Sequence, residues 1–186
     1  MALLLTVTAT SQEAPPRVRL VTDLGVIVME IYPERAPVTA ANFLRYVEEG
    51  RLVGSTFYRV VRMDNQPDDE VKIEVIQGGP RRLSRDLRLP PIEHETTEQT
   101  GLRHLDGTVS MARSAPGTAS SEFFICVGNQ PELDYGGRRN PDGQGFAAFG
   151  RVVEGMDVVR RIQALEPGEE QYLEQPLPIT SIERIR

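Results

Sequence analysis

Cysteine is almost missing from this chain: Cys126 is the single example. That excludes an internal disulfide, and at 186 residues none is needed, because a domain of this size buries roughly 70% of the surface its unfolded form exposes. Cys126 lies in the apolar run Phe123-Phe124-Ile125-Cys126-Val127 with no basic neighbour to lower its pKa, which reads as a buried strand residue, not a reactive thiol. Histidine is nearly as scarce, with only His94 and His104. His94-Glu95-Thr96-Thr97-Glu98 lacks the second histidine of a His-Glu-x-x-His site, so neither a metal nor any other cofactor is expected. Ser120 and Ser121 have no Gly-x-Ser-x-Gly elbow around them, which argues against a hydrolase. The net charge is -6, and no basic run is long enough to grip phosphates, which excludes nucleic acid as a partner. Arg81, Arg82, Arg85 and Arg88 read as a solvated loop. No stretch approaches the roughly 18 to 20 apolar residues of a membrane span, and no repeat or phosphate-loop pattern is present.

The chain begins MALLLTVTA, an apolar run whose Val7-Thr8-Ala9 has the small-x-Ala form of a secretory cleavage site, though no Lys or Arg precedes it. Residues 1–16 are therefore expected to be a signal-peptide remnant or flexible extension, and 17–186 the folded domain. A periplasmic or secreted location follows, with a cytoplasmic one as the alternative.

Residues 17–22 and 25–32 are β-rich and joined by Asp23-Leu24-Gly25, a hairpin turn. Pro37 opens a helix that runs to Glu49 before the stop at Gly50, with Val38, Ala41, Phe43, Leu44 and Val47 on its apolar face. Strands are predicted over 56–61, 71–76, 108–112, 122–127 and 146–153, and a second helix over 156–164 with Val158, Val159 and Ile162 inward. A proline-rich connection spans 78–107 and a last strand 179–185. About eight short strands and two helices with no βαβ alternation point to a mainly β protein, an antiparallel barrel or sandwich with helices outside.

Five segments then carry a specific pattern in one order. They are Ala36-Pro37-Val38-Thr39-Ala40-Ala41-Asn42-Phe43, Phe57-Tyr58-Arg59-Val60-Val61, Ile76-Gln77-Gly78-Gly79, Gly107-Thr108-Val109-Ser110-Met111-Ala112 with Ser121-Glu122-Phe123-Phe124-Ile125, and Phe149-Gly150-Arg151-Val152-Val153-Glu154-Gly155-Met156. Together these resemble the signature of the cyclophilin-type peptidyl-prolyl cis-trans isomerases. The stretch from Pro91-Ile92 to Arg113 is more similar to bacterial members than to animal ones. The resemblance implies an eight-stranded closed antiparallel β-barrel capped by two α-helices, a monomer, and proline-containing peptides or unfolded proteins as partners.

Rotation about an X-Pro bond breaks amide resonance against a barrier of roughly 18 to 20 kcal/mol. No bond to substrate is made, so neither nucleophile nor cofactor is required. The twisted state gains a lone pair on the prolyl nitrogen, and a fixed cationic donor there stabilises it above either planar state. The resemblance assigns this role to Arg59, whose guanidinium stays charged. Gln77 is the second catalytic candidate, hydrogen-bonded to Arg59 or to the substrate carbonyl. Ile73, Val75 and Gln77 share one strand face by period-2 alternation. The family pattern makes Val75, Phe124, Leu133 and Phe146 an apolar proline pocket, and Ala112 and Arg113 a segment that pairs with the substrate backbone.

The chain departs from the pattern at four places. Glu74 replaces a groove phenylalanine, with Ile73 as the side chain to fill the gap. Glu122 replaces a glutamine and is expected to orient Arg59 or engage its donors. Glu132 stands where many members have tryptophan, which implies weak cyclosporin binding, and Phe146 where many have histidine. An acidic rim of Glu74, Glu122 and Glu132 predicts a preference for basic residues beside the substrate proline. These changes also motivate the rival reading of a non-catalytic proline-peptide binding module on the same fold.

Overall fold

Successive side chains of a strand point to opposite faces, and the apolar ones turned inward decide the architecture. A computed structural model describes residues 14–80, 87–168 and 170–185; the leader reading of the first residues falls mostly outside them, as do Arg81, Arg82 and Arg85. The strands are β1 (Arg17–Thr22), β2 (Gly25–Ile31), β3 (Thr56–Val61), β4 (Val75–Gly79), β5 (Thr108–Met111), β6 (Phe123–Cys126), β7 (Ala147–Glu154) and β8 (Tyr172–Ile185). They close into an antiparallel barrel in the order β1-β2-β7-β5-β6-β4-β3-β8. The expected eight-stranded barrel is what forms. Two helices of some length, α1 (Pro37–Glu48) and α3 (Met156–Gln163), pack on it, α1 against β7 and β8 and α3 against β2, β3 and β4. The four-residue α2 (Thr97–Thr100) lies between them in sequence.

Period-2 side-chain direction splits the apolar residues into two clusters. Phe57 and Val60 of β3, Ile76 of β4 and Phe123 and Ile125 of β6 belong to the main core with α1 and α3. Their neighbours Val61, Val75, Phe124 and Cys126 face the other way and form a second cluster with Ile73 and Leu133. That outer cluster is the floor of the site. Cys126 is fully buried there and its thiol is pushed upward by burial, as expected of a packing residue.

Three local readings are corrected. The strand expected over 71–76 begins only at Val75. Ahead of it, the buried Gln66 side chain takes the place of a strand partner. Its Nε2 donates to the Ile73 carbonyl (2.8 Å) and its Oε1 accepts from the Ile73 N–H (3.2 Å). The last strand starts at Tyr172, not Ile179: Pro178 and Leu177 pair with Thr56 and Phe57, Tyr172 pairs with Arg59, and Pro176 falls in the irregular stretch between them. In α1 the buried face is Ala40, Phe43, Leu44, Tyr46 and Val47, while Val38 and Ala41 face outward. The proline-rich connection is also tied down. Glu95 accepts from the Val38 and Thr39 N–H groups at the start of α1 (3.1 and 2.7 Å), giving that helix the anionic cap its own Ala36 cannot supply.

Candidate active site

Adjacent strand residues normally point to opposite faces, yet Tyr58 and Arg59 both reach Gln77. A β-bulge is the cause: Phe57 pairs with Gly78 and Arg59 with Gln77, which leaves Tyr58 as the extra residue of β3. Gly78 makes the crowding tolerable, since a Cβ there would meet the Phe57 ring at 2.9 Å. Gly79, at φ +134°, turns the chain against Glu122. The Gly-Gly pair therefore serves close backbone packing.

Arg59 Nη1 donates to Gln77 Oε1 (3.0 Å). Gln77 Nε2 donates to the Tyr58 hydroxyl (2.7 Å), and the Tyr58 hydroxyl donates to Glu122. On its other edge Arg59 donates through Nε (3.0 Å) and Nη2 to Gln171 Oε1. Burial pushes the Arg59 guanidinium down from its ordinary value, but a guanidinium starts so high that it remains a cation at neutral pH. Burial first, then Glu122, pushes the Tyr58 phenol well above its ordinary value, so it stays a neutral donor.

Beside this guanidinium opens a concavity of about 250 Å³ walled by Ile73, Val75, Gln77, Ala112, Arg113, Phe124, Leu133 and Phe146. Phe124 and Phe146 meet edge to face at 5.3 Å, a packing that holds two faces of the slot at a fixed angle. Ile73 does fill the place beside Val75, and the predicted site residues come together here with one exception. Glu122 lines the polar recess next door, with Gln77, Arg88, Ala112 and Arg113. It touches Tyr58 and, at 3.5 Å, Gln77 Nε2, so its expected grip on Arg59 runs through those side chains.

The Arg113 side chain is not offered to a ligand either: it is 1% exposed and ion-paired to Asp142. Of the expected acidic rim, Glu132 is occupied by Arg138 and Glu122 lines the neighbouring recess. Among the described residues no carboxylate lines the slot itself, where the charged residues are Arg59, Arg113 and Arg139.

Sequence reasoning missed Arg139, Asn140, Tyr58 and Gln171. The bulge hid Tyr58, and the others come from loops with no periodic signal. It also missed a Ser110–His104–Asp134 string, with His104 Nε2 3.0 Å from Ser110 Oγ and Nδ1 2.8 Å from Asp134 Oδ1. The string has the spacing of a nucleophile relay, but Ser110 is fully buried in β5. With His104 stacked on Phe124 at 5.9 Å, it acts as scaffolding under the slot.

A closed barrel with an open apolar slot and a fixed cation in its wall is built to seat a small apolar group beside a charge. The chain belongs to the cyclophilin-type peptidyl-prolyl cis-trans isomerase family, whose model, described as "Cyclophilin type peptidyl-prolyl cis-trans isomerase/CLD", matches residues 17–184. It is 36% identical over 168 residues to the peptidyl-prolyl cis-trans isomerase cyp18 of Streptomyces antibioticus, covering 89% of this chain and 93% of that one. Another relative is the mouse peptidyl-prolyl cis-trans isomerase-like 3, 31% identical over 83% of this chain and 86% of its own; the relatives are thus both bacterial and eukaryotic. A crystal structure of a Cryptosporidium parvum cyclophilin type isomerase, solved in the presence of the dipeptide Ala-Pro, has the same fold. It superposes with a TM-score of 0.72 at 19% identity, covering 91% of this chain and 99% of that one.

Proposed function

We propose that this chain accelerates cis–trans rotation of X-Pro bonds in protein substrates, with the proline ring seated among Val75, Phe124, Leu133 and Phe146. The observation that carries this reading is that Arg59 and those apolar side chains wall one concavity. A pyrrolidine held there presents its nitrogen to a guanidinium that is already positioned. As the amide twists, the prolyl nitrogen regains its lone pair, and donation from Arg59 strengthens in the twisted state alone. The apolar walls lower the local dielectric and deepen that gain. Gln77 holds the guanidinium and does not itself exchange a proton.

The test is exchange NMR on a short X-Pro peptide, comparing the parent with Arg59→Ala. The expected loss is about 10²-fold, as for removal of an electrostatic stabiliser. A parent protein that binds the peptide without speeding its exchange would make it the non-catalytic binding module instead.

The apolar start ending in Val7-Thr8-Ala9 supports export to the periplasm or medium, and sequencing the mature amino terminus from native cells tests it. The resemblance supports a monomer, which sedimentation checks.

A further inference from the structure

We propose that Gln171 is a positioning residue for the isomerisation: its neutral amide clamps the edge of Arg59 opposite Gln77, fixing the guanidinium plane while leaving its charge intact for the prolyl nitrogen. This rests on the role given to Arg59 above.

A guanidinium on a long stem that is held at one nitrogen can still swing. Gln77 alone touches Nη1. Gln171 Oε1 takes both Nε and Nη2, and two acceptors on two edges define a plane. Three of the five N–H bonds are then committed, and one on each terminal nitrogen remains for the groove.

Gln171 is itself pinned. Its backbone carbonyl accepts from the Val60 N–H (2.9 Å), beside Arg59 on β3. Its Nε2 donates to the Asn65 carbonyl (3.2 Å), which obliges Oε1 to face Arg59. Asn65 is locked in turn by its side-chain bonds to the Val60 carbonyl (3.0 Å) and the Arg62 N–H (2.8 Å). The preceding Glu170 sits at φ 60°, a left-handed conformation unfavourable for a residue with a side chain. The chain accepts it in the turn that delivers Gln171 to this position.

The choice of amide is the telling feature. Among the described residues three arginines line the slot. Arg113 is paired with Asp142 and Arg139 with Asp69, so carboxylates offset both charges. Arg59 has no carboxylate within ion-pairing distance among the described residues; its side-chain partners are the amides Gln77 and Gln171. A carboxylate at position 171 would hold the guanidinium as well or better, but it would draw off the field that the twisted amide needs.

The experiment uses the full chain as parent, Q171M, Q171E and R59A. Each is followed by exchange NMR for turnover, and all but R59A by the ¹⁵N-resolved Nε–H signal of Arg59. Q171M removes the acceptor at nearly constant shape. It should lower kcat about tenfold with KM unchanged, within the roughly 10² that misplacing a reacting group can cost, and should broaden the Nε–H signal. Q171E should restore a sharp Nε–H signal without restoring the rate. Turnover of Q171M equal to the parent, a loss expressed only in KM, or a fully active Q171E would each overturn the proposal. Should Q171M fold poorly, Q171N, shorter by one methylene, is read in the same way. If instead the parent is inert or R59A is as fast as the parent, it is the role of Arg59 that fails.

Discussion

Arg113 grips Asp142 with both arms of its guanidinium, Nη1 to Oδ2 at 2.8 Å and Nη2 to Oδ1 at 2.9 Å. The same group donates through Nε to the Gly145 carbonyl (2.9 Å) and lies 5.1 Å over the Phe146 ring. A residue expected to meet the substrate backbone thus uses its side chain to latch the loop that carries one wall of the proline slot. Asp142→Ala should release that wall. A hydrogen-bonded charge is worth about 1.5–3 kcal/mol, and with Asp142 33% exposed the lower end applies. A drop of roughly 4 °C in Tm is expected, together with weaker peptide binding by NMR titration. Peptide affinity unchanged in the less stable variant would show that the latch does not shape the slot.

His104 gives stability a defined pH dependence. Burial pushes its imidazole below the ordinary value against the pull of Asp134, so the folded ring stays neutral where an unfolded histidine would take a proton. As pH falls below about 6.5, the unfolded chain binds one more proton at this position than the native one, and stability declines by up to about 1.4 kcal/mol per pH unit until the folded pKa is reached. Asp134 acts lower down. Burial pushes its carboxyl upward, but the hydrogen bonds from His104 outweigh this and leave it below its ordinary value, so its contribution is present above the usual carboxylate range and lost as pH falls through the folded pKa. Urea unfolding at pH 7.5 and 5.5 should show the first loss. His104→Gln should flatten it, and an equal slope in that variant would assign the effect elsewhere.

Short β-rich segments without βαβ alternation pointed to a barrel or a sandwich, and the family resemblance implied the closed eight-stranded form. Phe123-Phe124-Ile125-Cys126 shows both faces of β6 in four residues, and Arg59, Gln77 and Phe124 lie in segments whose local pattern is specific. What escaped was geometry that local pattern does not encode. The bulge at Tyr58 changes which residues share a face. Gln171 meets Arg59 across 112 positions, from the turn just ahead of β8. The partners of the rim carboxylates were also illegible: Arg138 occupies Glu132 and Tyr58 occupies Glu122. One signal was present and passed over. Thr96 and Gln99 form a reciprocal capping box at the start of α2, the Thr-x-x-Gln spacing that marks a helix start, inside a stretch read only as a connection.

Glu132, on the turn Pro131–Leu133, accepts from the Arg138 N–H at 2.9 Å and from its guanidinium at 3.4 Å. A solvated ion pair thus occupies the place where the family pattern has an indole. Cyclosporin should bind weakly, and Glu132→Trp should tighten it about ten- to a hundredfold, the range of a restored aromatic contact. Nanomolar binding by the parent in a fluorescence or calorimetric titration would contradict this.

Tyr58 should matter through Gln77. Its hydroxyl accepts from Gln77 Nε2 at 2.7 Å and donates to Glu122, which fixes the amide so that Oε1 faces Arg59. In Tyr58→Phe, Gln77 Nε2 retains only the 3.5 Å approach to Glu122, so the amide can turn and Arg59 loses one of its two anchors part of the time. Turnover should fall by about three- to tenfold, less than in Arg59→Ala, because Gln171 still holds the other edge. Glu122→Gln alone should cost less, since the phenol can still donate to a neutral oxygen. If the three side chains act as one string, the double variant will be non-additive, with a coupling of about 1 kcal/mol in kcat/KM. Full additivity would mean that Tyr58 reaches the groove by another route. The phenol is also held neutral well above its ordinary range, so no loss of activity attributable to its ionisation should be seen up to pH 10. A fall near pH 10 that vanished in Tyr58→Phe would show that the hydroxyl is not buried against Glu122.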